Sequence, residues 1–182
     1  MSTTAIIVLV VVIVVLVAAA IAARPYLRSR QLRSRFGPEY DHLVRNKGDR
    51  RTAEQELEER QRRHDKFELR PLSEESREGY LRDWTWAQEQ FVDTPSGAVQ
   101  RADQLVGQIM RERGYPVEGT EQQIADLSVE HGAVLDNYRI AHDISSRTDD
   151  DPASTEDLRN AMRHYRTLVE DLLDHATTER SK

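Results

Sequence analysis

Six histidines and a dense supply of aspartate are the residues of this chain that hold the most chemistry. His131, the pair His142-Asp143 and Asp150 have the ligand types of a His-Asp metal site, where neutral imidazoles and carboxylates converge on one ion. Asp171, Asp174 and His175 crowd a second such set into one helical turn. Both sets also have a plainer reading, as cap or surface histidines and a solvated acidic face. Trp84 and Trp86 are too close together to share a face of one helix. Trp84 fits a core stripe, so Trp86 either packs on a neighbouring helix or stands out as an anchor for a partner, tryptophan being enriched in binding hot spots. Asn137, Tyr138, Arg139 and His142 form one turn of polar groups, able to read a protein partner or to hydrogen-bond within the fold. There is no Gly-rich phosphate loop, nucleophile elbow or His-Glu-x-x-His pattern. With no cysteine in the chain, thiolate ligands, cysteine nucleophiles and disulfides are excluded. The expectation is no catalytic residue, no metal and no cofactor, with a small metal-dependent enzyme as the alternative.

These groups must be positioned by elements, and the first is unmistakable. Residues 5–23 carry no charge and consist only of Val, Ile, Leu and Ala. As a helix they extend about 28 Å, close to the hydrocarbon thickness of a bilayer. At about 0.4 kcal/mol each, the large aliphatics favour insertion by roughly 5 kcal/mol. Residues 1–4 form a short polar N-terminus. Arg24, Arg28, Arg30, Arg33 and Arg35 follow at once, then Arg45, Lys47, Arg50 and Arg51, whereas no basic residue precedes Ala23. Short basic segments stay in the cytoplasm, so the expected topology is a single-pass anchor with the N-terminus outside and the C-terminal domain cytoplasmic. The small-x-small triplets Ala18-Ala19-Ala20 and Ala20-Ile21-Ala22 would suit cleavage, which would make the body periplasmic or secreted. Against cleavage stand the missing basic region before the apolar core and the positive charge just after it. The net charge of −6 hides two opposite regions, a basic collar within residues 24–51 and an acidic body after it. The collar suits topology determination and contact with lipid headgroups. The acidic body disfavours nucleic acid as a partner.

Beyond the anchor the pattern is helix after helix, with no alternating strand. Residues 24–48 form a basic juxtamembrane segment, in which Pro25 allows a bend and Gly37-Pro38 breaks the first helix. Residues 49–69 read as a charged helical stalk. Its apolar stripe is thin (Ala53, Leu57, Phe67), and Glu56–Arg60, Glu58–Arg62 and Glu59–Arg63 are set for i,i+4 pairing. Residues 70–176 form the bundle. Ser73 caps a helix that turns Tyr80, Trp84, Ala87 and Phe91 to one face. Thr94 and Pro95 start the next, which buries Ala98, Ala102, Leu105 and Ile109 and closes at Gly114. Thr120 and Gln123 are spaced as a capping box before Ile124 and Leu127. A helix over 133–144 presents Val134, Leu135, Tyr138 and Ala141, and a mobile loop over 146–153 follows. Ser154 and Asp157 box the last helix, whose Leu158, Met162, Tyr165, Val169 and Leu172 repeat at coiled-coil-like spacing. Residues 177–182 are expected as a disordered tail. The fold class is all-α: an N-terminal transmembrane helix, a charged helical stalk and a small antiparallel helical bundle.

The strings Leu32-Arg33-Ser34-Arg35-Phe36-Gly37-Pro38-Glu39-Tyr40, Phe91-Val92-Asp93-Thr94-Pro95, Arg113-Gly114-Tyr115-Pro116-Val117, Asn137-Tyr138-Arg139 and Thr155-Glu156-Asp157-Leu158-Arg159 resemble a family of short, single-pass bacterial membrane proteins of uncharacterised activity. The resemblance spans most of the chain after the anchor. It implies an anchored helical protein and assigns no catalytic residues. The functional expectation is a membrane-anchored, noncatalytic helical scaffold whose partners are the bilayer and another protein, with a homodimer through the last helix as one variant.

Overall fold

The computed structural model describes residues 3–117, 119–147 and 152–178, and among them the chain is all-helical. Eight helices follow in order: α1 (Thr3–Phe36), α2 (Pro38–Lys47), α3 (Arg50–His64), α4 (Glu74–Gln90), α5 (Pro95–Arg113), α6 (Thr120–Leu127), α7 (Leu135–Ser145) and α8 (Thr155–Thr178). Met1, Ser2, residues 148–151 of the expected 146–153 loop and all but the start of the expected tail lie outside the described residues. Among the described residues one helix is long and apolar enough to span a membrane. It is α1, where every described side chain from Val11 to Ala19 is exposed. The helix runs on through Pro25 without a break.

The last third of α1 enters the fold. Gly37, at φ +53°, turns the chain, and Pro38 opens α2, which doubles back along α1. Gly48 in the left-handed conformation ends α2, and Asp49 caps α3 by accepting from the Thr52 N–H at 2.8 Å. Leu32, Phe36, Tyr40, Leu43, Ala53, Leu57 and Val129 make a small core among these three helices. Phe36 and Leu57 are wholly buried, and each such side chain favours the folded state by about 1.5–3 kcal/mol.

The expectation of a solvated stalk over 49–69 is therefore corrected at α3. The segment is helical and highly charged, but one face is buried, including the polar residues Glu54, Arg60 and His64. Three helices meeting at a corner need few large apolar positions, and ion-paired side chains with aliphatic stems fill the rest. Of the three expected i,i+4 pairs only Glu56–Arg60 forms, at 2.5 Å. Glu58 instead meets Arg28, and Arg63 meets the buried Asp126 of α6 at 2.8 Å. Arg63 turns to Asp126 because that carboxylate is fully buried and its charge needs a partner.

The main core joins α4, α5, α7 and α8, with α6 and the 65–72 segment closing one end. The short α4–α5 connection makes those helices antiparallel neighbours. Ser73 caps α4 through the Ser76 N–H at 3.0 Å, and Ser154 and Asp157 form the reciprocal box of α8, each accepting from the other's N–H at 3.1 Å. The expected box at Thr120 does not form. Gly119 is the N-cap, Thr120 already lies inside α6, and Thr94 likewise makes no side-chain cap to α5. The stripe Leu158, Met162, Tyr165, Val169 and Leu172 is consumed in this internal core, so that face is not free to pair with a second copy.

Two close approaches lock the segments together. A Cβ on Gly114, where φ is +93°, would meet the Glu68 carbonyl oxygen at 2.6 Å, which holds the 65–72 segment against the end of α5. A Cβ on Gly132 would lie 2.5 Å from the Phe36 carbonyl oxygen, so only glycine lets the end of α1 press against the loop before α7.

Candidate functional site

Among the described residues, the polar groups singled out by the sequence are not gathered into one metal site. His131 is buried between α5 and α8. Its Nε2 lies 3.3 Å from an Arg113 nitrogen, and its Nδ1 lies 2.5 Å from Asp171. A guanidinium has no acceptor, so Nε2 must accept and the imidazole proton sits on Nδ1, donating to Asp171. His142 lies apart, with Nδ1 at 3.1 Å from Asp103 of α5. Tyr165 donates to the same Asp103 oxygen at 2.8 Å and meets the Ser145 hydroxyl at 3.0 Å, so α5, α7 and α8 are stitched by one chain of hydrogen bonds. The hydrogen bond to Asp103 raises the pKa of His142 above its ordinary value, and burial pushes the Tyr165 hydroxyl far up. Asp143 is exposed and faces Arg147, and Asp150 lies outside the described residues. Asp174 faces Arg77 at 3.7 Å, and the His175 side chain is not among those described. His131, Asp171, His142 and Asp103 act as struts.

Asn137 and Arg139 are likewise engaged within the molecule. Asn137 Oδ1 accepts from His164 at 2.7 Å. Arg139 makes a two-pronged bond to the buried Glu39, at 2.8 Å on each prong, and a third bond to Asp136. Glu39 also accepts from Arg60 at 3.0 Å. Glu39, His42 and Asp136 bring ligand atoms within 4.8 Å of one another. The two guanidiniums already spend the Glu39 charge, and Asn46 holds the His42 Nε2 at 2.7 Å. The cluster is an ionic clasp joining α2, α3 and α7.

Trp86 does not pack on α3. It is 51% exposed while Trp84 is buried, and the Arg101 guanidinium stands 5.9 Å from its ring centre. A shallow hollow of 250 Å³ beside it is lined by Gln90, Thr94, Gly97, Arg101 and Gln104.

The basic residues following the apolar half of α1 line a concave surface. Because α2 doubles back and α3 starts where it ends, Arg50 and Arg51 return to the level of Ser29, and Arg50 bonds the Ser29 hydroxyl. Two adjoining hollows result. One, of 530 Å³, is lined by Tyr26, Ser29, Arg30, Arg33, Tyr40 and Arg50, among others. The other, of 1010 Å³, is lined by Arg24, Arg28, Arg50, Arg51, Asp49 and Glu54, among others. Glu54, in the wall of the second and behind the first, accepts from Ser29 at 2.5 Å, Tyr40 at 2.7 Å and Arg50 at 2.9 Å. Burial would raise its pKa, but these hydrogen bonds outweigh burial and hold the carboxyl below its ordinary value. Arg33 bonds Asp41 at 3.0 Å and stacks over the Tyr40 ring. Arg35, in the same run, is exposed but lines neither hollow. The residues missed in the sequence are Tyr26, Ser29 and Tyr40, which carry no charge signal, and the registry that returns Arg50 and Arg51 to α1.

The fold and this face define an all-helical protein with one N-terminal helix apolar enough to cross a membrane and a cationic, hydroxyl-rich surface just after it. Compared with protein-family models, curated proteins and solved structures, the chain has no match in any of the three.

Proposed function

We infer that this protein is a noncatalytic scaffold, anchored by α1 in a membrane with its helical body on the cytoplasmic side. One observation carries the reading: α1 does not end in a linker but continues into the fold, where Leu32 and Phe36 are buried and Gly132 abuts the Phe36 carbonyl. A helix anchored in a bilayer at one end and packed into a core at the other displays its domain at a set height and orientation. The basic run after residue 23 supports the cytoplasmic side for the body. The internal engagement of His131, His142, Arg139 and Asp171 supports a structural duty for the groups that resembled catalytic or metal sets. The exposed Trp86 with Arg101 beside it is the contact proposed for a protein partner, since both residue types are enriched in hot spots.

The test uses the absence of native cysteine. Ser2→Cys and, separately, Ser181→Cys are introduced into the full-length protein, and intact cells are treated with a membrane-impermeant maleimide. Labelling of Ser2→Cys alone supports the reading. Labelling of Ser181→Cys overturns it and moves the body to the other side of the membrane.

A further inference from the structure

We propose that the hollow between α1 and the α2–α3 hairpin seats the phosphate of an acidic phospholipid on Arg30, Arg33 and Arg50. The proposal deepens the anchored reading above and rests on α1 spanning the bilayer. It starts from the composition of the lining: three guanidiniums, the hydroxyls of Tyr26 and Ser34, and no carboxylate, the Ser29 and Tyr40 hydroxyls being turned to Glu54. That donor set matches a phosphodiester, whose oxygens only accept, and arginine forks bind phosphate in pairs of parallel hydrogen bonds. The charge also matches. Asp41 and Glu54, bonded to Arg33 and Arg50 from outside the hollow, leave one uncompensated positive charge among the three arginines. A singly charged diester neutralises it. A zwitterionic headgroup would bring its own ammonium into the same place.

The position follows from helix geometry. Tyr26 lies three residues past Ala23, about 5 Å along the axis, and Arg30 lies about 10 Å past it, while the headgroup layer is about 5–8 Å thick. Side chains on a helix lean toward its N-terminus, which here is the bilayer side, so the Arg30 and Arg33 heads are carried back toward the phosphates. Tyr26 and Leu27 are both exposed, 67% and 59%, at the level where aromatic and aliphatic groups meet the interface. At 530 Å³ the hollow falls within the roughly 300–1,000 Å³ typical of small-molecule sites. The three arginines come from segments some twenty residues apart, so the seat exists only when the hairpin is folded.

The experiment is native mass spectrometry of the full-length protein in detergent, with phosphatidylglycerol, phosphatidylcholine or inorganic phosphate added. One phosphatidylglycerol should be retained per chain, and Arg30→Gln with Arg33→Gln should lower its retention on the order of tenfold. Arg45→Gln with Arg82→Gln removes the same charge away from the hollow and should leave retention unchanged. Circular dichroism of both double variants should match the parent, since Arg30, Arg33, Arg45 and Arg82 are all exposed. Equal retention of phosphatidylcholine, equal loss in the control variant, or capture of inorganic phosphate as readily as lipid would each overturn the proposal. A protein that is integral to membranes but retains no acidic lipid defeats this inference alone. A protein found in the soluble fraction defeats the anchored reading beneath it.

Discussion

Replacing Glu39 by glutamine should destabilise the fold more than any other single loss of charge. Glu39 is 1% exposed, and its carboxylate takes two bonds from Arg139 and one from Arg60, at 2.8–3.0 Å. Glutamine keeps the volume but removes the charge and turns an amide N–H₂ toward two guanidiniums. Breaking one side of a buried ion pair costs about 3–5 kcal/mol because the remaining charge is left uncompensated. The Arg60 and Arg139 side chains are 10% and 22% exposed, so both can relax partly toward water, which sets the expected loss at the lower end, about 3 kcal/mol. For a domain of this size each kcal/mol moves Tm by about 2–4 °C, giving a drop of about 6–12 °C in thermal denaturation of the full-length protein in detergent. Arg139→Met serves as the second arm of a double-mutant cycle. If the clasp is one unit, the combined loss should fall short of the sum of the single losses by at least about 1 kcal/mol. A drop under about 2 °C, or strict additivity, would refute the view that Glu39 clamps α7 onto the anchor-side helices.

Gly132→Ala should cost about 1–3 kcal/mol, because the new Cβ must push away two backbone carbonyls, Phe36 at 2.5 Å and Ser128 at 3.0 Å, which chemical denaturation would detect as a lowered midpoint. His142 should add a pH-dependent contribution. Its folded-state pKa is raised, first by the hydrogen bond to Asp103, above the ordinary 6.5. That stability is complete below the unfolded value and is lost as pH rises through the folded one, so Tm should fall as pH rises above about 6.5. His142→Gln should flatten that fall, and an unchanged slope would exclude His142 as its source. His64 acts with the opposite sign: burial lowers its pKa, so its contribution is lost as pH falls below 6.5, outside that window. Fluorescence separates the two tryptophans. Trp86→Phe should leave a blue-shifted emission protected from acrylamide and a stability within about 0.5 kcal/mol of the parent, while Trp84→Phe should leave the quenchable signal.

Much of the helix succession was legible in the sequence because its signals are local. An uncharged run such as 5–23 is helical wherever its backbone must satisfy itself, and Gly37, Gly48 and Gly114 stop helices through their own backbone freedom. Ser73 and the Ser154–Asp157 box act within a single turn, and the α8 stripe was apolar enough to declare its buried face unaided. Where two local caps competed, as at Gly119 and Thr120, spacing alone could not choose between them.

The clasp and the cationic hollow were not legible, for a physical reason. Periodicity shows that a face is apolar, not what covers it, and a charged residue looks alike whether solvated or paired. Glu39 and Arg139 are 100 residues apart, and no local rule joins them. Helix α3 looked like a solvated stalk because its burial is achieved with Glu54, Arg60 and His64 beside Ala53 and Leu57. Arg30 and Arg33 were visible as a basic run, but only the hairpin at Gly48 returns Arg50 to complete a hollow with them. What the sequence by itself determined was the set of helices and the apolar reach of the first. The tertiary structure alone decided which charges are struts and which remain open to a ligand, because pairing is settled by desolvation between distant segments.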